Sequence, residues 1–125
     1  MKTPLAAALA LCLPLCALPA ISVEAPLILS LGAAGNAERN VVRYECEDGV
    51  ERAVTYINAA PNFLALVPVE DQTLVMAAGL AASGVRYAAG QYVWWSAGPE
   101  GDLYDLTEGE DAAPIAHCFE ITETP

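Results

Sequence analysis

From about residue 41 onward, apolar and polar residues alternate with the period of two that is typical of half-buried β-strands. In the first such segment, Tyr44 and Cys46 fall on one face, and Arg43 and Glu45 fall on the other. The pair Asp48-Gly49 follows directly and is a strong hairpin signal. The pattern therefore predicts a first strand, a tight turn and an antiparallel second strand.

Further strand segments follow at close, regular spacing, each bounded by turn residues. Pro68 is predicted to close the third strand, Ala89-Gly90 to form a hairpin turn, and the stretch Pro99-Glu100-Gly101-Asp102 to form another turn. The alanine-rich residues 77–82 are predicted as strand or strand exit rather than helix. The eight predicted strands cover residues 42–46, 54–57, 63–67, 74–76, 85–88, 91–96, 103–106 and 115–121.

Eight short strands with no predicted helix indicate an all-β fold. A short chain buries so many strands economically by closing the sheet, because closure removes the exposed edges. The prediction is a small eight-stranded antiparallel β-barrel, closed or nearly closed, spanning residues 41–125.

The N-terminal region has the pattern of a secretory signal peptide. A short basic start is followed by the uncharged, Leu- and Ala-rich run from Pro4 to Ala20. We predict a leader at residues 1–20, with cleavage possible as late as residue 34, and a flexible arm at residues 21–40. Leu11 and Leu15, rather than small residues, precede Cys12 and Cys16. A periplasmic protein is therefore favoured over a lipid-anchored membrane form.

Removal of the leader leaves a strongly acidic protein. The full chain carries a net charge of −11, and Lys2 is its only lysine. Such a surface repels nucleic acid and anionic lipid and favours basic partners. Cys46 and Cys118 remain beyond the leader, and in an exported protein they predict a structural disulfide. Closing a loop of about 70 residues stabilises the fold by roughly 4 kcal/mol in the chain-entropy model.

Catalytic, metal and cofactor chemistry find little support in the sequence. Ser83, Asp105 and the only histidine, His117, have the residue types of a catalytic triad, but no nucleophile elbow surrounds Ser83. The acids Glu100, Asp102 and Asp105 lie in a turn and the adjoining strand, where carboxylates usually serve solvation. One histidine and two distant cysteines do not form a metal-ligand set. We predict no enzyme, no metal and no cofactor.

Two local features leave alternatives open. Trp94 and Trp95 are adjacent in a strand, so one side chain should fill the core and the other should face outward. The outward ring either forms an interface patch with Tyr87 or Tyr92, or packs beneath a loop. The pair Ser83-Gly84 is either an ordinary turn or a small polar loop that projects past the barrel rim and enters an enzyme's cleft.

The stretch Ser83-Gly84-Val85-Arg86-Tyr87 resembles a serine–glycine–two–tyrosine motif, and Tyr92-Val93-Trp94-Trp95-Ser96 followed by Gly98 resembles a second motif of the same family. That family comprises the membrane-bound or periplasmic inhibitors of c-type lysozyme. The stretch Tyr44-Glu45-Cys46 with Gly49, and Leu74-Val75-Met76, are also similar to it. The resemblance covers about residues 41–121.

The resemblance implies an eight-stranded barrel with one disulfide whose Ser83 loop enters the lysozyme cleft and binds a catalytic carboxylate. Gly84 and Tyr87 would shape that loop. The second motif normally carries a lysine that also reaches the catalytic carboxylates, and this chain has Ala97 there. Arg86 would supply a replacement cation if its side chain faces the same way. The alternative function is a non-inhibitory envelope barrel, structural or ligand-binding, that has kept the fold.

Overall fold

A computed structural model describes residues 2–4, 25–26, 28–32 and 35–122 of the chain. All eight strands form one closed antiparallel barrel in which each strand pairs with its neighbours in sequence and β1 pairs with β8. The strands are β1 Glu38–Cys46, β2 Glu51–Ala59, β3 Asn62–Val69, β4 Gln72–Gly79, β5 Val85–Ala89, β6 Tyr92–Ala97, β7 Glu100–Asp105 and β8 Ala116–Glu120. The predicted eight-stranded antiparallel barrel is confirmed.

Several predicted boundaries differ from the structure. Strand β1 begins at Glu38, three residues before the predicted start of folded sequence. Strand β3 continues through Pro68, which is tolerated there because pairing of β3 with β2 ends at Leu66. The predicted turn at residues 99–102 was wrong, since β7 already begins at Glu100 and the connection is only residues 98–99.

A single turn of 3-10 helix, Leu106–Glu108, occupies the end of the predicted seventh strand. Asp105 caps this turn, because its carboxylate accepts hydrogen bonds from the backbone N–H and the hydroxyl of Thr107 at 2.9 and 2.6 Å. These hydrogen bonds hold the pKa of Asp105 below its usual range. The side chain of Asp105 therefore has a structural role at the helical turn.

Trp94 fills the centre of the barrel and is fully buried. Its indole N–H donates to the hydroxyl of Tyr56 at 2.8 Å, and that hydroxyl lies 2.9 Å from the hydroxyl of Tyr44. A Cβ atom at Gly101 would overlap the Trp94 ring, so the ring requires glycine at that position on β7. Tyr44, Met76 and Leu103 are also fully buried, so the interior is packed with large side chains.

The disulfide between Cys46 and Cys118 joins the strands at which the barrel closes. The two residues lie directly opposite each other in the β1–β8 register, and both are buried. The predicted disulfide is confirmed. It links positions 72 residues apart in sequence, so it closes nearly the entire barrel.

The connections at the two ends of the barrel differ sharply in charge. One end, here called the neutral end, is formed by the connections 60–61, 80–84 and 98–99, none of which contains a charged residue. The opposite, acidic end is formed by the connections 47–50, 70–71, 90–91 and 106–115. These hold the acidic residues Glu47, Asp48, Glu70, Asp71, Glu108, Glu110 and Asp111. The connections at one end are thus uncharged, with Glu38, Glu100 and Glu120 at the adjoining strand ends, and the connections at the other end are anionic.

The predicted leader at residues 1–20 lies, apart from residues 2–4, outside the described residues. Cys12 and Cys16 are among those outside. Within the described part of the chain, no helix has the length and apolar character required to cross a membrane.

Candidate functional site at the neutral end

The loop of residues 80–84, called the Ser83 loop below, connects β4 to β5 at the neutral end. Ser83 and Gly84 are both exposed. No hydrogen bond involves the Ser83 hydroxyl within the part of the chain that the structure describes. A free hydroxyl on an exposed loop is positioned to donate to an acceptor on another molecule.

Gly84 sets how closely this loop approaches strand β6. Its φ angle of +64° lies in the left-handed region, which glycine adopts without steric cost. A Cβ atom at this position would lie 2.5 Å from the carbonyl oxygen of Ser96 and 3.1 Å from the Cβ of Ala97. Only glycine allows the loop to rest on the end of β6.

Trp95 fixes the loop from below. Its indole N–H donates to the carbonyl oxygen of Ser83 at 2.9 Å. Trp94 is the core residue of the pair and Trp95 is the outward one, as the alternation predicted. Of the two alternatives, the outward ring is the one packed beneath a loop. It forms no patch with Tyr87 or Tyr92, because both of those side chains pack against the core.

Ala97 ends strand β6 immediately beside the Ser83 loop. The strand register pairs Val85 with Ser96, which brings Gly84 next to Ala97. The two positions that the resemblance assigned to contact with the target, Ser83 and Ala97, therefore lie together at the neutral end. A single hairpin separates them in the sequence, and the register of that hairpin joins them in space.

Arg86 lies on the same face of the hairpin as Ala97. It is directly opposite Trp95 in the β5–β6 register, and Ala97 is the next residue of β6 on that face. The guanidinium is exposed and borders a groove together with Trp95 and Tyr104. Among residues 35–122, no carboxylate lies within 4 Å of Arg86, whereas Arg52 is bound by Asp48. The same groove is bordered by Leu106 and Glu110 from the connection 106–115, so Arg86 shares a face with Ala97 but borders a groove that extends toward the acidic end.

Tyr87 supports the site from inside the barrel. It is 5% exposed, and its ring packs against that of Tyr56 with centroids 5.6 Å apart. Burial raises the pKa of the Tyr87 hydroxyl. Tyr87 thus packs inside the barrel and borders the groove that Gly84 and Leu80 also line.

His117 does not join Ser83 and Asp105 in the triad considered from the sequence. Its Nδ1 is hydrogen-bonded to Asp102, a buried acid opposite it in the β7–β8 register. This hydrogen bond raises the pKa of His117. The carboxylate of Asp105 instead caps the 3-10 turn and accepts a 3.0 Å hydrogen bond from the side-chain amide of Gln91.

Within the described residues, no group of three or more His, Cys, Asp or Glu side chains is arranged to hold a metal ion.

The structure also adds features that sequence reasoning missed. Leu80, the first residue of the Ser83 loop, is fully exposed beside Ser83. A signal for the neutral end exists in the sequence, because no acidic residue occurs between residues 72 and 99.

Comparison with known proteins places the chain in a family. The family model described as "Membrane-bound lysozyme-inhibitor of c-type lysozyme" matches residues 44–112, more than half of the chain. A membrane-bound lysozyme inhibitor of C-type lysozyme from Pseudomonas aeruginosa is 41% identical over 93 residues, which cover 74% of this chain and 73% of that protein. A protein of the same name from Cupriavidus necator is 41% identical over 78 residues, covering 62% of each chain.

A solved structure is also similar. The inhibitor chain in the crystal structure of Pseudomonas aeruginosa MliC in complex with hen egg white lysozyme superimposes with a TM-score of 0.67 at 36% identity. The match covers 80% of this chain and all of that one. The resemblance found from the motifs is confirmed. The chain belongs to the family of membrane-bound inhibitors of c-type lysozyme, a family of inhibitors and not of enzymes.

Proposed function

We propose that this protein inhibits c-type lysozyme by inserting the Ser83 loop into the active-site cleft of the enzyme. The observation that carries the proposal is the construction of that loop. Gly84 seats it on β6, Trp95 holds the Ser83 carbonyl, and the Ser83 hydroxyl is left exposed beside Ala97. A loop fixed in this way loses little conformational entropy when it enters a cleft.

The chemistry of the loop suits a lysozyme cleft. Lysozyme cleaves its substrate with two carboxyl groups that flank the scissile bond. The Ser83 hydroxyl can donate a charge-assisted hydrogen bond to one of these carboxylates, a contact that contributes about 1.5–3 kcal/mol. The small side chains of the loop keep the approach to the cleft floor open.

The distribution of charge supports the same orientation. A carboxylate carried into the cleft would be repelled by the catalytic acids, and the Ser83 loop and the other connections of the neutral end carry none, Glu100 and Glu120 lying at the adjoining strand ends. The net charge of −11 attracts a basic enzyme over longer distances. The neutral end is therefore the end that contacts the target, while the remaining acidic surface promotes association.

Arg86 is proposed as the cation that takes over from the lysine normally found at position 97. It shares a face with Ala97 and has no carboxylate within 4 Å among residues 35–122. Arg86 lies one residue pair further from the Ser83 loop than Val85 along the β5–β6 hairpin. It is therefore at the edge of the proposed contact surface rather than at the end of the loop. We therefore expect a weaker electrostatic contribution than a lysine at position 97 would give.

Titration of a c-type lysozyme such as the hen egg white enzyme with the purified mature domain tests the proposal. We expect stoichiometric inhibition that Ser83→Ala weakens about 10- to 100-fold, the equivalent of losing one charge-assisted hydrogen bond. Ala97→Lys should strengthen inhibition about tenfold or more, because it adds a cation beside the catalytic carboxylates.

Ala113→Lys provides the matched control for Ala97→Lys. It makes the same substitution at an exposed position of the acidic end. This variant should bind no more tightly than the natural sequence, because its added charge lies far from the cleft. Absence of inhibition by both the natural sequence and Ala97→Lys would overturn the proposal.

The cell envelope is the proposed location. Both similar proteins carry the name membrane-bound lysozyme inhibitor. For this chain we propose a periplasmic form released from its leader, because leucines precede Cys12 and Cys16. Mass spectrometry of the protein purified from its host's envelope tests this choice, and a diacylated N-terminal cysteine would contradict it.

A further inference from the structure

We infer that an apolar patch beside the Ser83 loop is a second contact surface for the same lysozyme, docking on an apolar part of the rim of its cleft. This inference rests on the proposed function. The patch, called the Leu80 patch, consists of Phe63, Leu80 and Val85. Leu80 is fully exposed, and Phe63 and Val85 are 45% and 39% exposed. Exposed apolar side chains that cluster in this way mark interaction sites.

The Leu80 patch is continuous with the Ser83 loop. All three of its residues border one open groove of about 650 Å³ at the neutral end, and Gly84 borders the same groove. Leu80 precedes Ser83 by three residues, a span of at most about 10 Å of chain. Insertion of Ser83 into a cleft would therefore bring Leu80 against the surface that surrounds it.

The surroundings of the patch favour burial. No acidic residue occurs between residues 72 and 99, and the polar side chains that border the groove, Asn58 and Tyr87, are uncharged. Covering these apolar side chains removes them from water without desolvating a charge. An apolar rim surface is the complementary partner.

The charges distinguish a lysozyme from a second copy of this chain. Two copies, each with a net charge of −11, repel one another, whereas a basic enzyme is attracted. A second copy on the Leu80 patch would also obstruct Gly84 and the loop that the patch adjoins. The lysozyme that receives the Ser83 loop is thus the occupant that fits both observations.

The experiment measures the dissociation constant of the complex with hen egg white lysozyme for three variants of the mature domain. Leu80→Ser should raise Kd about tenfold, because it removes an apolar side chain from the interface. Leu80→Met should leave Kd within about threefold of the natural value, since it retains similar apolar area. Val50→Ser, at an exposed position of the acidic end, is the matched control and should leave Kd unchanged.

The outcomes separate this inference from the proposed function. An unchanged Kd for Leu80→Ser, together with weakened binding by Ser83→Ala, overturns the inference and leaves the proposed function standing. Absence of binding by the natural sequence overturns both. Sedimentation of the free domain addresses the second copy: a dimer that Leu80→Ser converts to a monomer, with Kd for lysozyme unchanged, also overturns the inference.

Discussion

Replacing Gly84 with Ala tests whether glycine is what seats the Ser83 loop on strand β6. The substitution has two costs. An alanine in the left-handed region at φ +64° costs about 1 kcal/mol. The new Cβ would also lie 2.5 Å from the Ser96 carbonyl oxygen, and displacing a strand backbone adds about 1–3 kcal/mol. We expect the free energy of unfolding to fall by about 2–4 kcal/mol.

Gly90→Ala is the matched control. Gly90 has nearly the same backbone conformation, with φ +56°, but a Cβ atom added there would meet no other atom within 4 Å. Gly90→Ala should therefore lower the free energy of unfolding only by the cost of placing alanine in the left-handed region, about 1 kcal/mol. Thermal and urea unfolding with the disulfide intact, followed by circular dichroism, measure both variants. For a domain of this size each kcal/mol shifts Tm by roughly 4–8 °C.

The difference between the two variants isolates the contact with β6. Equal losses of stability for Gly84→Ala and Gly90→Ala would refute the steric argument, since the two share only the backbone conformation. Lysozyme inhibition provides a second comparison. Gly84→Ala should weaken it, because the loop must lift from Trp95, whereas Gly98→Ala, at φ +57° with open space around it, should not.

Two further predictions concern the hydrogen bonds that support the barrel. Tyr56→Phe should lower the free energy of unfolding by about 1–3 kcal/mol, because it leaves the buried N–H of Trp94 without an acceptor; urea unfolding measures this, and no loss would contradict the role of the network. The bond to Asp102 raises the pKa of His117, so its stabilising contribution should be complete below the ordinary histidine pKa of about 6.5 and be lost as pH rises through the higher pKa of the folded state. An NMR titration of this single histidine should show a raised pKa that Asp102→Asn returns toward its ordinary value, and an equal pKa in both proteins would contradict the assignment.

Much of the fold could be predicted from the sequence because alternation and turn residues are local signals. The strand count and the antiparallel order followed from them, and the disulfide followed from the two cysteines that remain beyond the predicted leader. The errors arose where tertiary packing overrides a local signal. Pro68 stays within β3 because no partner strand needs its missing N–H, and Gly101 lies in β7 because the Trp94 ring leaves no room for a side chain. A proline or glycine that signals a turn in the sequence can thus lie within a strand of the barrel, where packing permits or requires it.

The site was only partly predictable for a related reason. The period of two assigns Trp95 to the outer face, but it does not say what covers that face. The hydrogen bond to the Ser83 carbonyl depends on how the β4–β5 connection folds back. The acid-free stretch between residues 72 and 99 signals part of the neutral end, but its three connections are scattered through the sequence and share an end only once the strand order is known.

We expect the absence of the second-motif lysine to change binding strength and not the architecture of the site. The two residues that hold the loop do not require a charge at position 97. Gly84 requires only space beside the Cβ of residue 97, and Trp95 donates a hydrogen bond to the Ser83 carbonyl. Ala97 provides that space, so the loop stays seated without a cation. A lysine there would point outward, on the face that Arg86 already occupies one residue pair away. Shape and charge are therefore separable at this site, and variation at position 97 can tune inhibition while the Ser83 loop is retained.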